Sequence, residues 1–107
     1  MKILRDKYFR KKGGEAKFII VLCKECKEQL FVYQKDQPRG WLKRCYLNRI
    51  MTKNKWGELK KNINDLRKMP KLKCNCGSTI GLPIKHKGGR LAYSLIRGKF
   101  IRKTYEE

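Results

Sequence analysis

Two close pairs of cysteines constrain this chain more than any other feature: Cys23-Lys24-Glu25-Cys26, and Cys74-Asn75-Cys76 followed by Gly77. A zinc ion takes four soft ligands at tetrahedral corners. Two tight turns, each aiming two thiolates at one point, supply such a set once the fold brings the turns together. Glycine behind the second pair permits a left-handed backbone, so that amides approach the sulfurs. Lysines at 24, 27, 71 and 73 would stabilise thiolates and offset the charge of a four-thiolate site. The expected metal ligands are therefore Cys23, Cys26, Cys74 and Cys76, holding Zn2+. The C-x-C spacing is tighter than a usual second pair, which leaves Cys45 or His86 as replacements for one member. Cys45 reads first as a small buried hydrophobe on a strand. His86, in a Gly- and Lys-rich turn, reads as a solvent- or RNA-facing residue. An iron–sulfur cluster also takes four cysteines, and the sequence does not separate zinc from iron. A thioredoxin-like C-x-x-C needs a helix after its first cysteine, where residues 27–34 read as a strand.

Charge is the second constraint. Lys and Arg total 29 against 9 acidic residues, a net charge of +20 in 107 residues. That surplus repels itself, and a polyanion would relieve it while releasing counterions. Each quarter of the chain is basic: residues 1–22 hold seven bases and two acids, 23–50 seven and three, 51–73 eight and two, 74–107 seven and two. A duplex reader more often concentrates its charge on one helix or stripe. Even spreading suits a protein touched from several sides by folded RNA. Residues 1–10 are charged throughout, with no apolar signal core after them. The longest apolar run, Phe18 to Cys23, is far short of a membrane span. The expectation is a soluble cytoplasmic protein with no membrane partner, where five cysteines mean metal rather than disulfides.

The pattern along the chain is mostly β. Residues 1–14 read as a basic leader ending at Lys11-Lys12-Gly13-Gly14, and 15–107 as one zinc-stapled β domain. Strands are expected over 16–22, 29–34 and 41–47, with a turn at 35–40 punctuated by Pro38 and Gly40. In the third strand Trp41, Lys43, Cys45 and Leu47 would share one face. Trp56, Leu59, Ile63 and Leu66 recur at helical spacing, predicting one short amphipathic helix within 52–69, or a long insertion, ended by Pro70. Residues 79–84 read as a strand weakened by Gly81 and Pro83. Leu91–Ile96 and Lys99–Lys103 are expected to pair as a hairpin around Arg97-Gly98.

The cysteine turns and their flanking strands, Val21-Leu22-Cys23-Lys24-Glu25-Cys26 and Lys73-Cys74-Asn75-Cys76-Gly77, resemble the zinc-ribbon class. The resemblance implies a zinc-ribbon-like small β-sheet domain of the kind found in ribosomal proteins, transcription factors and RNA-modification factors. Knuckles separated by residues 27–73 also look like the zinc-bearing β-fold of methionine sulfoxide reductases and Rab-binding chaperones. The reductase likeness implies a reactive cysteine late in the chain, and none follows Cys76.

The expected nucleic-acid contacts are Lys11, Lys12, Arg39, Trp41, Lys43, Arg44, Arg49, Lys85, Lys87, Arg90, Arg97, Lys99 and Arg102. Arginine binds phosphate bidentately and stacks on bases. Exposed Trp41 or Tyr46 would stack on unpaired bases, unless the core takes them, as it is expected to take Phe31 and Tyr33. A catalytic zinc keeps an open position, and four thiolates close it. With one histidine and few acids, no enzyme and no small-molecule substrate are expected. The leading expectation is a non-enzymatic zinc protein binding structured RNA, rRNA in particular, as a ribosomal or ribosome-associated component of a ribonucleoprotein. A DNA-associated zinc-ribbon transcription factor and a protein-binding chaperone of the zinc β-fold are the alternatives.

Overall fold

The computed structural model describes residues 1–37 and 39–106; Pro38 of the expected 35–40 turn and Glu107 lie outside them. Among the described residues the chain runs α1 (Lys7–Lys11), β1 (Lys17–Cys23), β2 (Gln29–Lys35), β3 (Arg44–Tyr46), α2 (Lys55–Asn62), β4 (Leu72–Lys73), β5 (Thr79–Lys85), β6 (Leu91–Leu95) and β7 (Phe100–Thr104). Short 3-10 turns follow β3 and α2. The strands form two antiparallel sheets, ordered β2-β1-β7 and β3-β6-β5-β4. The fold is mostly β, as expected. No helix among the described residues is long and apolar enough to cross a membrane.

Strand pairing builds the core. On β1, Ile19 and Val21 pair with Tyr33 and Phe31 of β2, and all four are buried. On the second sheet Cys45 pairs with Tyr93, and both are inaccessible to solvent. Ile80 and Leu72 complete this side of one shared core. Trp56, Leu59, Ile63 and Leu66 all pack on it, which confirms the spacing read from the sequence. The helix is shorter than that stretch: Ile63 is extended, and Asp65 then caps a separate turn, accepting from the Arg67 amide.

Three expectations change. Leu91–Leu95 and Phe100–Thr104 do not pair with each other. Strand β6 is already flanked by β3 and β5, so β7 crosses to the free edge of β1. The third strand is only Arg44–Tyr46, and Trp41 is peeled away from it, 74% exposed, while Cys45 and Leu47 are buried. Gly40, at φ 91°, lies in the turn that precedes this stretch. The first fourteen residues, read as a leader, carry α1 and are tied down. Phe9 is buried, and Gln34 bonds both the amide and the carbonyl of Leu4 at 2.7 and 2.9 Å.

The segment after β3 covers the outer edge of β2, a position that otherwise invites aggregation. The Met51 amide donates to the Val32 carbonyl, the Val32 amide to Thr52 Oγ1, and Asn54 Nδ2 to the Leu30 carbonyl. This seal demands glycine at 57. A Cβ there would sit 1.6 Å from the Thr52 carbonyl oxygen. Alanine is the better helix former by about 1 kcal/mol, but an overlap with backbone decides the sign. Gly57→Ala is expected to destabilise by about 3 kcal/mol in urea unfolding. A variant within about 0.5 kcal/mol of the parent, the usual scatter of a harmless surface change, would show that the close approach is not held in solution.

Candidate metal centre and basic clefts

Each cysteine pair lies in a hairpin turn, one per sheet. The turns are built alike. The Cys23 amide donates to the Glu28 carbonyl and the Lys27 amide to the Cys23 carbonyl, both at 2.9 Å. The Cys74 amide donates to Ser78 and the Gly77 amide to Cys74, again at 2.9 Å. Both turns need a left-handed residue, supplied by Gly77 at φ 95° and, against preference, by Lys27 at φ 66°. Its ammonium donates to the Lys24 carbonyl at 2.7 Å, which helps hold that turn closed. The glycine expected to matter behind the second pair does so, and its counterpart in the first is a lysine that the sequence did not flag.

The four sulfurs converge. Those of Cys23, Cys26, Cys74 and Cys76 all lie within 4.8 Å of one another. Cys23 and Cys76 are 3.7 Å apart, Cys26 and Cys74 3.3 Å. A single tetrahedral ion with metal–sulfur bonds of about 2.3 Å holds its sulfurs about 3.8 Å apart. The donor set and spacing therefore suit one metal ion. Cys45 and His86 take no part. Cys45 is wholly buried, and burial pushes its thiol well above the usual range. His86 Nδ1 is 3.0 Å from the Tyr46 hydroxyl. Within the cluster, the Cys26 amide pointing at the Cys23 sulfur brings that thiol down to about 7, against burial. Burial dominates at Cys74 and pushes it up. Glu28, which sequence reasoning did not single out, accepts from Cys74 Sγ at 3.4 Å and from Asn75 Nδ2 at 3.2 Å.

The basic residues divide into distinct settings. A groove of about 890 Å³ is lined by Trp41, Lys43, Arg44, Arg97 and Arg102, with Phe100 on its wall. An adjoining cleft of about 260 Å³ brings Lys12, Arg39 and Arg90 to the same Trp41, Lys43 and Arg44. Lys11, Lys85, Lys87 and Lys99 are exposed but line neither. The Lys99 carbonyl accepts from the Lys24 amide, which sets it beside the first cysteine turn. Arg90 is held internally: its guanidinium lies 3.7 Å from the ring centres of both Tyr8 and Tyr46 and bonds Asn48 at 3.1 Å. Charge concentrates here, for burial and then Arg44, Lys87, Arg90 and Lys12 push His86 below its usual range.

Arg49 is the correction among the expected nucleic-acid contacts. It is fully buried and bonds Asp36 Oδ2 at 2.8 Å and Asp6 Oδ1 at 2.6 Å. Asp6 Oδ1 also caps α1, accepting from the Tyr8 and Phe9 amides. The side chain thus ties the amino-terminal segment to the turn after β2. Nothing in the local sequence marks it, because its partners are thirteen and forty-three residues away.

No family model matches the chain, no curated protein matches its sequence, and no solved structure matches it. The geometry alone therefore carries the site: four cysteines placed to bind one metal ion, in a fold that brings one group of its cations to two clefts sharing Trp41.

Proposed function

We propose that this is a non-enzymatic zinc protein that binds structured RNA, as a ribosomal or ribosome-associated component. The observation that carries the reading is the gathering of Trp41, Lys12, Arg39, Lys43, Arg44, Arg97 and Arg102 around two adjoining clefts in a chain of net charge +20. Asp36, which lines the second cleft, is paired with Arg49. Zinc suits the four-thiolate set and has no redox chemistry of its own. Four thiolates fill its coordination shell, so the ion serves as a cross-link rather than a Lewis acid.

Filter binding of a folded rRNA fragment across a salt series tests the reading. With about six phosphate contacts, affinity is expected to fall roughly a thousandfold between 50 and 200 mM salt. An equal-length DNA duplex should compete weakly. Preference for the DNA duplex, or affinity indifferent to salt, would overturn it. Elemental analysis of the purified protein should find one zinc per chain.

A further inference from the structure

We infer that the Trp41 groove takes an unpaired nucleobase by stacking, so that the protein reads single-stranded nucleotides, such as a bulge or loop, within its RNA partner. The inference rests on the proposed RNA binding and adds the substrate class of one site.

Trp41 is the most exposed large hydrophobic side chain among the described residues, at 74%. Exposing an indole is costly, and it is commonly retained where a flat apolar partner will cover it. The ring is presented rather than loose. Its turn is held from beneath by the buried Lys35 ammonium, which donates to the carbonyls of Gln37 and, at 2.9 Å, Arg39. Arg102 donates to the Gly40 carbonyl at 2.9 Å. The Arg97 guanidinium lies 4.9 Å from the ring centre, so one side of the indole is backed by a cation and the remainder stands open.

The floor beside it is the outer face of the second sheet. Register places Leu82, Ser94 and Arg44 in one row across β5, β6 and β3. Arg44 and Ser94 line the groove together with Ile84 of the same β5 face, while Leu82, 43% exposed, continues that face outside the groove. An open sheet face carrying apolar and cationic residues next to a presented aromatic ring is the arrangement by which proteins stack splayed RNA bases. The groove volume, about 890 Å³, falls within the range of about 300–1,000 Å³ usual for small-ligand sites. Among the described residues no acidic side chain lines it. Charge complementarity thus favours phosphate on its rim, while the ring favours a base. Paired bases within a duplex cannot offer a free face to the indole.

The test compares a fluorescein-labelled unstructured RNA 10-mer, the same sequence in DNA, and a blunt RNA duplex. Trp41→Ala should weaken 10-mer RNA binding at least about fivefold, the low end of one stacking contact. Duplex binding should change less than twofold, and Trp41→Phe should restore most of the 10-mer affinity. Thermal unfolding should not distinguish the exposed-site variants from the parent. Equal loss on 10-mer and duplex, or no loss on the 10-mer while the parent still binds RNA, would overturn the stacking site alone. Tighter binding of the DNA 10-mer than of RNA would assign the groove to DNA and overturn it as an RNA site. A parent protein that binds none of the three would overturn the RNA reading itself, and the stacking site with it.

Discussion

Replacing Cys74 by serine, or stripping the metal with a strong chelator, is expected to unfold the protein rather than soften it. The first cysteine turn closes the β1–β2 hairpin of one sheet, and the second closes the β4–β5 hairpin of the other. One ion held by both turns is a direct tie between the sheets. Structural zinc contributes roughly 10–16 kcal/mol in small metal-dependent folds. A domain of this size has a total stability of about 5–15 kcal/mol, so the loss is as large as the whole stability of such a fold. The expected result is loss of near-ultraviolet circular dichroism and of the thermal transition on chelation, with recovery on adding one equivalent of zinc. Cys45→Ala is the control. It removes a buried thiol from the core, outside the four-sulfur cluster, and should retain one metal per chain at a cost of about 1 kcal/mol. A metal-free protein with an unchanged transition would show that the core holds the sheets together without the ion.

The second large effect is expected at Arg49. Arg49→Met keeps the apolar stem and removes the charge, leaving Asp36 buried with no cation. Breaking a buried ion pair from one side costs about 3–5 kcal/mol, because the remaining charge stays desolvated. Asp36, with a side chain 10% exposed, is the group stranded; Asp6, at 39%, reaches water. Adding Asp36→Asn to Arg49→Met should recover part of the loss in urea unfolding. A single Arg49→Met variant within about 1 kcal/mol of the parent, a typical mutational effect, would sink this account.

The same network sets an acid dependence. The hydrogen bond from Arg49 holds the Asp6 carboxyl at about 2, below the ordinary 3.8. A depressed folded value means the contribution is complete above the ordinary carboxylate range. It fades as pH falls from about 4 to about 2. Protection of the Tyr8 and Phe9 amides, each referred to its intrinsic exchange rate at the same pH, should fall across that window, and in Asp6→Ala it should already be low at neutral pH.

Much of this was legible from local pattern. The apolar, β-rich runs over residues 16–22 and 29–34 mark two strands, and the spacing of Trp56, Leu59, Ile63 and Leu66 marks a helical face; the structure places strands at 17–23 and 29–35, buries most of them, and packs that face on the core. The cysteine set was legible because ligand spacing is a short-range property of each turn. Strand partners were not. The turn at Arg97-Gly98 has the look of a hairpin, yet whether β6 has a free edge depends on β3 and β5, dozens of residues away. Trp41 was open in the sequence, and Arg49, expected at the nucleic-acid surface, is buried instead. A tryptophan beside a strand fits core or surface equally well, and an arginine gives no sign of two distant aspartates.

By itself, then, the amino-acid order determined the chemical inventory and its short-range geometry: four soft donors in two tight turns, a cationic excess over the whole length, and apolar residues at the periods of strand and helix. These follow from residue type and from backbone repeats that span only a few positions. Only the tertiary structure decided which edges meet, that the four sulfurs converge, that Arg49 is sealed inside while Trp41 is held outside, and that scattered cations share one groove. Those outcomes depend on contacts between residues remote in the chain, where excluded volume and desolvation act on the whole fold at once.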